Sequence, residues 1–211
     1  MEIKIGLAKT AKYATEVCGD TCDVVERPHG GISAIIADGA RDGAVARAVH
    51  DYLYAMKDKK VSCTLTVVSA DLDTETVVIS RNSNCPVLIW TEEYETVYDE
   101  NVEPIGVNRH MKPLMYEIPL EPGMLIVSYT DGIAHAGKKR TGHPAEFTKI
   151  QEIVRQNEAA DVSFIAKSIM DYALTLDADK ASDDMTVLVM GITNGSASSP
   201  KIEQMEITYP Y

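Results

Sequence analysis

The sequence predicts an α+β fold, an antiparallel β-sandwich flanked by α-helices. Three observations carry that expectation. Short runs rich in Val, Ile and Thr recur along the chain, and only three segments show helical periodicity. The runs also follow one another across short turns, without the strand-helix alternation that a parallel sheet requires.

In chain order, the predicted strands cover 2–8, 32–37, 61–70, 76–80, 87–91, 114–119, 124–129 and 185–191. Asp71-Leu72-Asp73 separates the third from the fourth as a hairpin, and Asn82-Ser83-Asn84 marks a turn between the fourth and fifth, so this stretch reads as an antiparallel meander. A first helix is expected over 44–56, where Val45, Val49, Tyr52 or Leu53, and Met56 recur every three to four residues. Phe147, Ile150 and Val154 make the second, and Val162, Ile165, Ile169 and Tyr172 the third, with Asp161 as its N-cap. Residues 1–193 are read as one domain, and the polar, small-residue stretch 194–200 as a linker to a semi-apolar tail over 202–211 that is expected to dock.

A chain of 211 residues with 45% hydrophobic side chains is long and apolar enough for one sizeable core. Its net charge of −12 sets up a field that repels polyphosphate backbones and anionic membranes, which argues against nucleic acid as a partner. With no leader-like N-terminus and no apolar run of membrane-spanning length, a cytoplasmic protein is expected. Cys18, Cys22, Cys63 and Cys85 are then reduced thiols; no second Cys or His pair with ligand spacing follows Cys18 and Cys22, so they do not read as a zinc site.

Four short pieces share one design, an aspartate at the end or start of an apolar strand beside glycine or a second acid: Gly19-Asp20, Ala37-Asp38-Gly39, Thr130-Asp131-Gly132 and Ser182-Asp183-Asp184. Strand ends hold carboxylates rigidly, and adjacent glycines let backbone carbonyls approach a ligand. Hard ions such as Mg²⁺ and Mn²⁺ favour oxygen donors of this kind. Two such ions side by side can activate a water and fix phosphoryl oxygens for in-line attack, with no side-chain nucleophile. One Asp-Gly alone is an ordinary turn pair; the order and context of the set give it weight.

That set resembles the metal-dependent protein phosphatase superfamily, the PPM or type 2C-like enzymes. Within it the chain is most similar to the SpoIIE-like bacterial branch, and particularly to the RsbX type that resets stressosomes. The likeness runs from about Cys18 to Gly191 through CGD, ADG followed by a helix, NSNCPVLI, PIGV at 104–107, LEPGMLIVSYTDGI and SDDMTVLVMG. It implies a protein serine/threonine phosphatase that uses two divalent ions and acts on a phosphorylated partner, a stressosome-type scaffold or regulator. Asp38 would then bridge both ions and the Gly39 carbonyl bind the first, with Asp131 and Asp183 completing the second. Asp20 matches an early acidic position that touches metal-bound water, and Asp184 would orient Asp183 or a water.

Two features depart from the family pattern. Arg41 stands where the A-D-G-x-G-x-G loop commonly has glycine; it is a candidate contact to substrate phosphate, or a solvated surface arginine. Only 44–56 is helical between that loop and the next strand, so one covering helix is missing. Among His29, His50, His110, His135 and His143 there is no HxH or HxxxH grouping, and no G-x-S-x-G elbow is present. His135, just after Asp131-Gly132, is the candidate general acid for the leaving oxygen. Two rival readings are a phosphatase-fold module that binds a phosphoprotein without turnover, favoured by the altered loop, and a calcium-binding domain, disfavoured because no D-x-D-x-D-G run occurs.

Overall fold

Side chains that alternate between two packed layers give ten strands among the described residues, arranged as two five-stranded antiparallel sheets. The structure, a computed structural model, describes residues 1–15, 18–27, 31–38, 62–107 and 112–195. The first sheet runs β1 (Glu2–Thr10), β10 (Met185–Thr193), β9 (Leu125–Tyr129), β6 (Val87–Trp90), β7 (Glu95–Tyr98). The second runs β2 (Thr21–Arg27), β3 (Gly31–Asp38), β4 (Thr64–Asp71), β5 (Thr76–Asn82), β8 (Leu114–Pro119).

Between the sheets, Ala34, Ile36, Val68, Ala70, Val77 and Ile79 pack against Val87, Ile89, Ile126, Leu188, Met190 and Ile192. The other face of the first sheet lies under two helices, α3 (Phe147–Arg155) and α4 (Val162–Leu176), through Ile150, Val154, Ile165, Ile169 and Ala173. This double burial explains why β9 and β10 read as nearly unbroken apolar runs, whereas β5 alternates. Close approach fixes the start of α4: a Cβ on Gly191 would sit 2.0 Å from the Ala159 carbonyl oxygen, so only glycine lets the 159–162 segment rest on β10. No helix among the described residues is long and apolar enough to cross a membrane.

The expected sandwich is therefore observed, with local corrections. Two edge strands escaped the sequence reading: β7 has only four residues, and β2 carries Asp23, Glu26 and Arg27 among its apolar positions. The strand expected over 61–70 begins at Thr64; Cys63 makes an isolated bridge to Ile105 of the PIGV loop instead. The meander expectation fails at 82–86, because β5 pairs with β4 and β8 while β6 pairs with β7 and β9, so the chain changes sheets there. A buried arginine pins that crossing: Arg81 Nη2 donates to the carbonyls of Ser83 and Glu100, both at 2.8 Å. Asp161 does occupy the N-cap of α4, but its side chain makes no capping hydrogen bond. The short helices α1 (Asp131–Ala134) and α2 (Lys138–Thr141) were not foreseen, each being a single turn without periodicity. The helix expected over 44–56, the covering helix read as missing, and the tail over 202–211 lie outside the described residues.

Candidate active site

Strand register brings the acidic pieces to one end of the sandwich. Thr21 pairs with Ala37, which puts Asp20, just before β2, alongside Asp38, the last residue of β3. In the other sheet Val187 pairs with Tyr129, and the next residues face each other as well, the Thr130 N–H donating to the Thr186 carbonyl at 3.0 Å. Asp131 follows Thr130 as the first residue of α1, and Asp183 precedes β10.

The two sheets are tied together at that end through Asp20, which is 1% exposed. Its Oδ2 accepts hydrogen bonds from Thr130 Oγ1 at 2.7 Å and Thr186 Oγ1 at 2.8 Å, and Thr130 Oγ1 in turn accepts from the Thr186 N–H at 2.9 Å. Lys9 Nζ donates to the Asp20 backbone carbonyl at 2.6 Å. The other carboxylate oxygen, Oδ1, is buried and receives no N–H or hydroxyl donor, the Asp38 carboxyl being the further hydrogen-bond neighbour of Asp20. A buried oxygen left without a donor is costly, so the local design calls for a cation or a polarised water at that point.

Electrostatics point the same way. Burial, the charge of Asp131 and the charge of Asp20 together push the Asp38 carboxyl up to about 7. Burial also raises Asp20, against the lowering effect of its two threonine donors. Carboxylates that repel one another inside a partly buried cluster are stabilised by a multivalent cation that neutralises them. Among the described residues no group of three or more His, Cys, Asp or Glu side chains is placed to hold a metal ion. The residues that follow Asp38 in the chain, Gly39 and Arg41 among them, lie outside the described residues.

The remaining candidates fall into place as follows. Asp183 is exposed, its Oδ1 accepting from the Asp184 N–H at 3.1 Å. His135 is exposed one helical turn from Asp131, with Nδ1 3.9 Å from Asp131 Oδ2. The Asp184 side chain meets two backbone N–H groups from the start of the chain. Its Oδ1 accepts from the Lys12 N–H at 2.7 Å and its Oδ2 from the Gly19 N–H at 2.6 Å, so it straps the segment before Asp20 onto the start of β10. Gly132 completes this packing, since a Cβ there would lie 1.9 Å from the Asp184 carbonyl oxygen.

Three contributors went unread in the sequence. Thr130 and Thr186 did carry a signal, a threonine beside a strand-end aspartate in the TDG and DDMT pieces. Asp177 carried none: it is one of four acids in 177–184, yet it is wholly buried, accepting from the Gly137 N–H at 2.8 Å and the Ser182 N–H at 2.7 Å. All four cysteines are free thiols, and burial pushes Cys18 and Cys63 to about 11 and Cys85 to about 12, so none is a nucleophile at neutral pH.

Residues 28–193 match the family described as Stage II sporulation protein E (SpoIIE). The chain belongs to that family. Among solved structures, the PP2C phosphatase domain of SpoIIE from Bacillus subtilis, with a fragment of its regulatory domain, superposes with a TM-score of 0.74 at 21% identity. That match covers 91% of this chain and 64% of the SpoIIE chain. RsbX in complex with magnesium aligns at a TM-score of 0.67 and 13% identity, over 90% of this chain and 96% of that one. The catalytic domain of the serine threonine protein phosphatase PstP in complex with two manganese ions gives 0.67 at 11% identity, over 91% and 99%. The α+β sandwich of this SpoIIE-family chain is thus the fold of the PP2C phosphatases. No curated protein sequence matches the chain.

Proposed function

We propose that this SpoIIE-family protein is a metal-dependent protein serine/threonine phosphatase, hydrolysing phosphoserine or phosphothreonine on a partner signalling protein. The observation that carries the reading is the convergence of Asp20, Asp38 and Asp131 from distant parts of the chain, with one buried Asp20 oxygen lacking an N–H or hydroxyl donor and Asp38 raised to about 7. In this reading Asp38, Asp131 and Asp183, with the Gly39 carbonyl, hold two divalent ions, Mn²⁺ or Mg²⁺. When bound, such ions supply Lewis-acid charge that acidifies a water and neutralises phosphoryl oxygens. The chain's own residues do the positioning. Thr130 and Thr186 fix Asp20 in one orientation, in which its carboxylate meets the Asp38 carboxyl. Asp184 holds the segment that delivers Asp20. His135, exposed beside Asp131, is placed to give a proton to the departing serine or threonine oxygen.

The similarity to RsbX supports a regulatory phosphoprotein of a stress-response assembly as the substrate, met in the cytoplasm. The test is turnover of p-nitrophenyl phosphate by protein stripped with EDTA and then resupplied with Mn²⁺ or Mg²⁺. Turnover should vanish on stripping and return with the ion. Turnover that survives stripping rejects the two-ion mechanism; phosphopeptide binding without phosphate release in Mn²⁺ makes the protein a binding module.

A further inference from the structure

The loop that precedes β10 carries Asp183 at one end, and along its length it is flanked by cations. On one side lies α2, where Lys139 Nζ donates to the Ser182 carbonyl at 2.9 Å and Arg140 Nη1 to the Asp177 carbonyl at 2.8 Å. On the other side Tyr13 N–H donates to the Ala181 carbonyl at 2.8 Å, and Lys12 N–H binds Asp184. Lys180, on the loop itself, holds its ammonium 5.0 Å from the centroid of the Tyr13 ring. Lys12, Tyr13, Lys138, Lys139, Arg140 and Lys180 are all exposed.

This clustering runs against the composition. The chain has 32 acidic and 20 basic residues, yet 134–143 holds three cations and no acid. Asp177 and Asp184 beside these cations have both carboxylate oxygens turned to backbone N–H groups, and Asp179 is the exposed acid next to Lys180. A basic rim beside the candidate centre, on a chain whose net charge is −12, attracts an anionic chain. Lys180 stands three residues from Asp183, at most roughly 10 Å along an extended chain, so a peptide with its phosphate at the centre reaches the rim with residues a few positions away.

We propose that this rim, made by Lys12, Tyr13, Lys138, Lys139, Arg140 and Lys180, docks an acidic stretch of the protein substrate that flanks the phosphorylated serine or threonine. The inference rests on the phosphatase reading above and adds the substrate class to it. Lys139 and Arg140 also hydrogen-bond to the loop, so the test substitutes only side chains that make no hydrogen bond to it: Lys12→Gln, Lys138→Gln and Lys180→Gln combined. Two phosphoserine peptides are compared, one flanked by Asp and the other by Asn at the same positions, with p-nitrophenyl phosphate as a substrate too small to reach the rim.

In the triple variant kcat/KM for the Asp-flanked peptide should fall about tenfold, through KM, and raising NaCl should erase the parent protein's preference for it. The Asn-flanked peptide and p-nitrophenyl phosphate should stay within about twofold. Equal losses on both peptides, or none, overturn the docking role while leaving the phosphatase reading intact. Fluorescence anisotropy of labelled peptides in EDTA separates the two claims further. If no substrate is turned over but the Asp-flanked peptide still binds tighter and the triple variant loses that difference, the phosphatase reading fails and the docking surface stands. Tighter binding to phosphatidylserine vesicles than to the Asp-flanked peptide overturns the proposal in favour of a membrane surface.

Discussion

Two groups of aspartates lie within one end of this molecule, and they are treated in opposite ways. Asp177 and Asp184 each spend both carboxylate oxygens on backbone N–H groups, four hydrogen bonds of 2.6–2.8 Å that join the end of α4 to Gly137 before α2 and to Ser182, and the start of β10 to Lys12 and Gly19. Asp20, Asp38 and Asp131 meet one another instead; one buried Asp20 oxygen has no N–H or hydroxyl donor, and burial, with the charges of Asp131 and Asp20, pushes the Asp38 carboxyl up to about 7. The first group stabilises the fold as it stands. The second leaves electrostatic strain in the metal-free protein that a bound cation would relieve, and strain of that kind collects at functional sites. Satisfaction of the carboxylate, more than its position in a DG or DD pair, separates scaffold from site.

Substitution should expose the contrast most sharply at Asp38. Asp38→Asn is expected to cost at least ~10²-fold in Mn²⁺-dependent turnover of p-nitrophenyl phosphate, because it removes the most perturbed carboxylate of the cluster. Stability should move the other way. A carboxyl raised in the folded state gives a contribution that is fully present below its unfolded value near 4 and is lost as pH rises through about 7. The metal-free parent should therefore lose melting temperature between pH 4 and 7 by more than the Asn variant does. A variant with near-parental rate, or one that unfolds earlier than the parent at pH 8, takes Asp38 out of the site. Asp131→Asn combined with Asp183→Asn should cost far less than the product of the two single losses, since groups serving one site act as a unit.

The scaffold group predicts a mirror image. Asp177→Ala leaves the Gly137 and Ser182 N–H groups without acceptors in a fully buried position, a loss of about 2–4 kcal/mol and roughly 5–15 °C in melting temperature. Below its melting point the variant should keep a measurable metal-dependent rate. Asp184→Ala is milder, about 1–2 kcal/mol, because its partners are exposed; since it frees the strap before Asp20, its rate should be restored in part by excess Mn²⁺. If Asp177→Ala melts normally but is dead, the division between the two groups is wrong.

Much of this was legible in the chain. The sandwich follows from the recurrence of Val-, Ile- and Thr-rich runs, and Asp20, Asp38 and Asp131 from their place at strand ends. What stayed hidden depends on the third dimension. β7 and β2 were missed because edge strands need only one partner and tolerate polar residues on the open side. The change of sheet after β5 reads in sequence as a turn within a meander because Asn82-Ser83-Asn84 has turn chemistry either way; the buried Arg81 that pins it looks in sequence like any surface arginine. Asp184 holds Asp183 through its backbone N–H, while its side chain is taken up by the Lys12 and Gly19 N–H groups, a pairing across more than 160 residues that no local pattern shows. Nothing in LDADKASDD marks Asp177 as the buried acid, since burial there is set by α2 and the 137 turn packing from 40 residues away.

The smallest effect expected is on how metal affinity follows pH, and it tests the site group from its electrostatic side. If Asp38 must lose its proton to serve as a ligand, proton and ion compete for the same carboxylate. Apparent affinity for Mn²⁺ should then rise by at most about tenfold per pH unit below 7 and level off above it, because above 7 the carboxyl is already ionised in the metal-free protein. Calorimetric titrations at pH 6.5 in two buffers of different ionisation enthalpy should show protons released on binding, with release falling toward zero by pH 8.5. Asp38→Asn should flatten both curves over that range, whereas Asp184→Ala should lower affinity without changing their slope. A parent protein whose Mn²⁺ affinity is constant from pH 5.5 to 8 would mean that the carboxyl held near 7 is not among the groups that meet the ion, and the centre would have to be rebuilt around Asp131 and Asp183 alone.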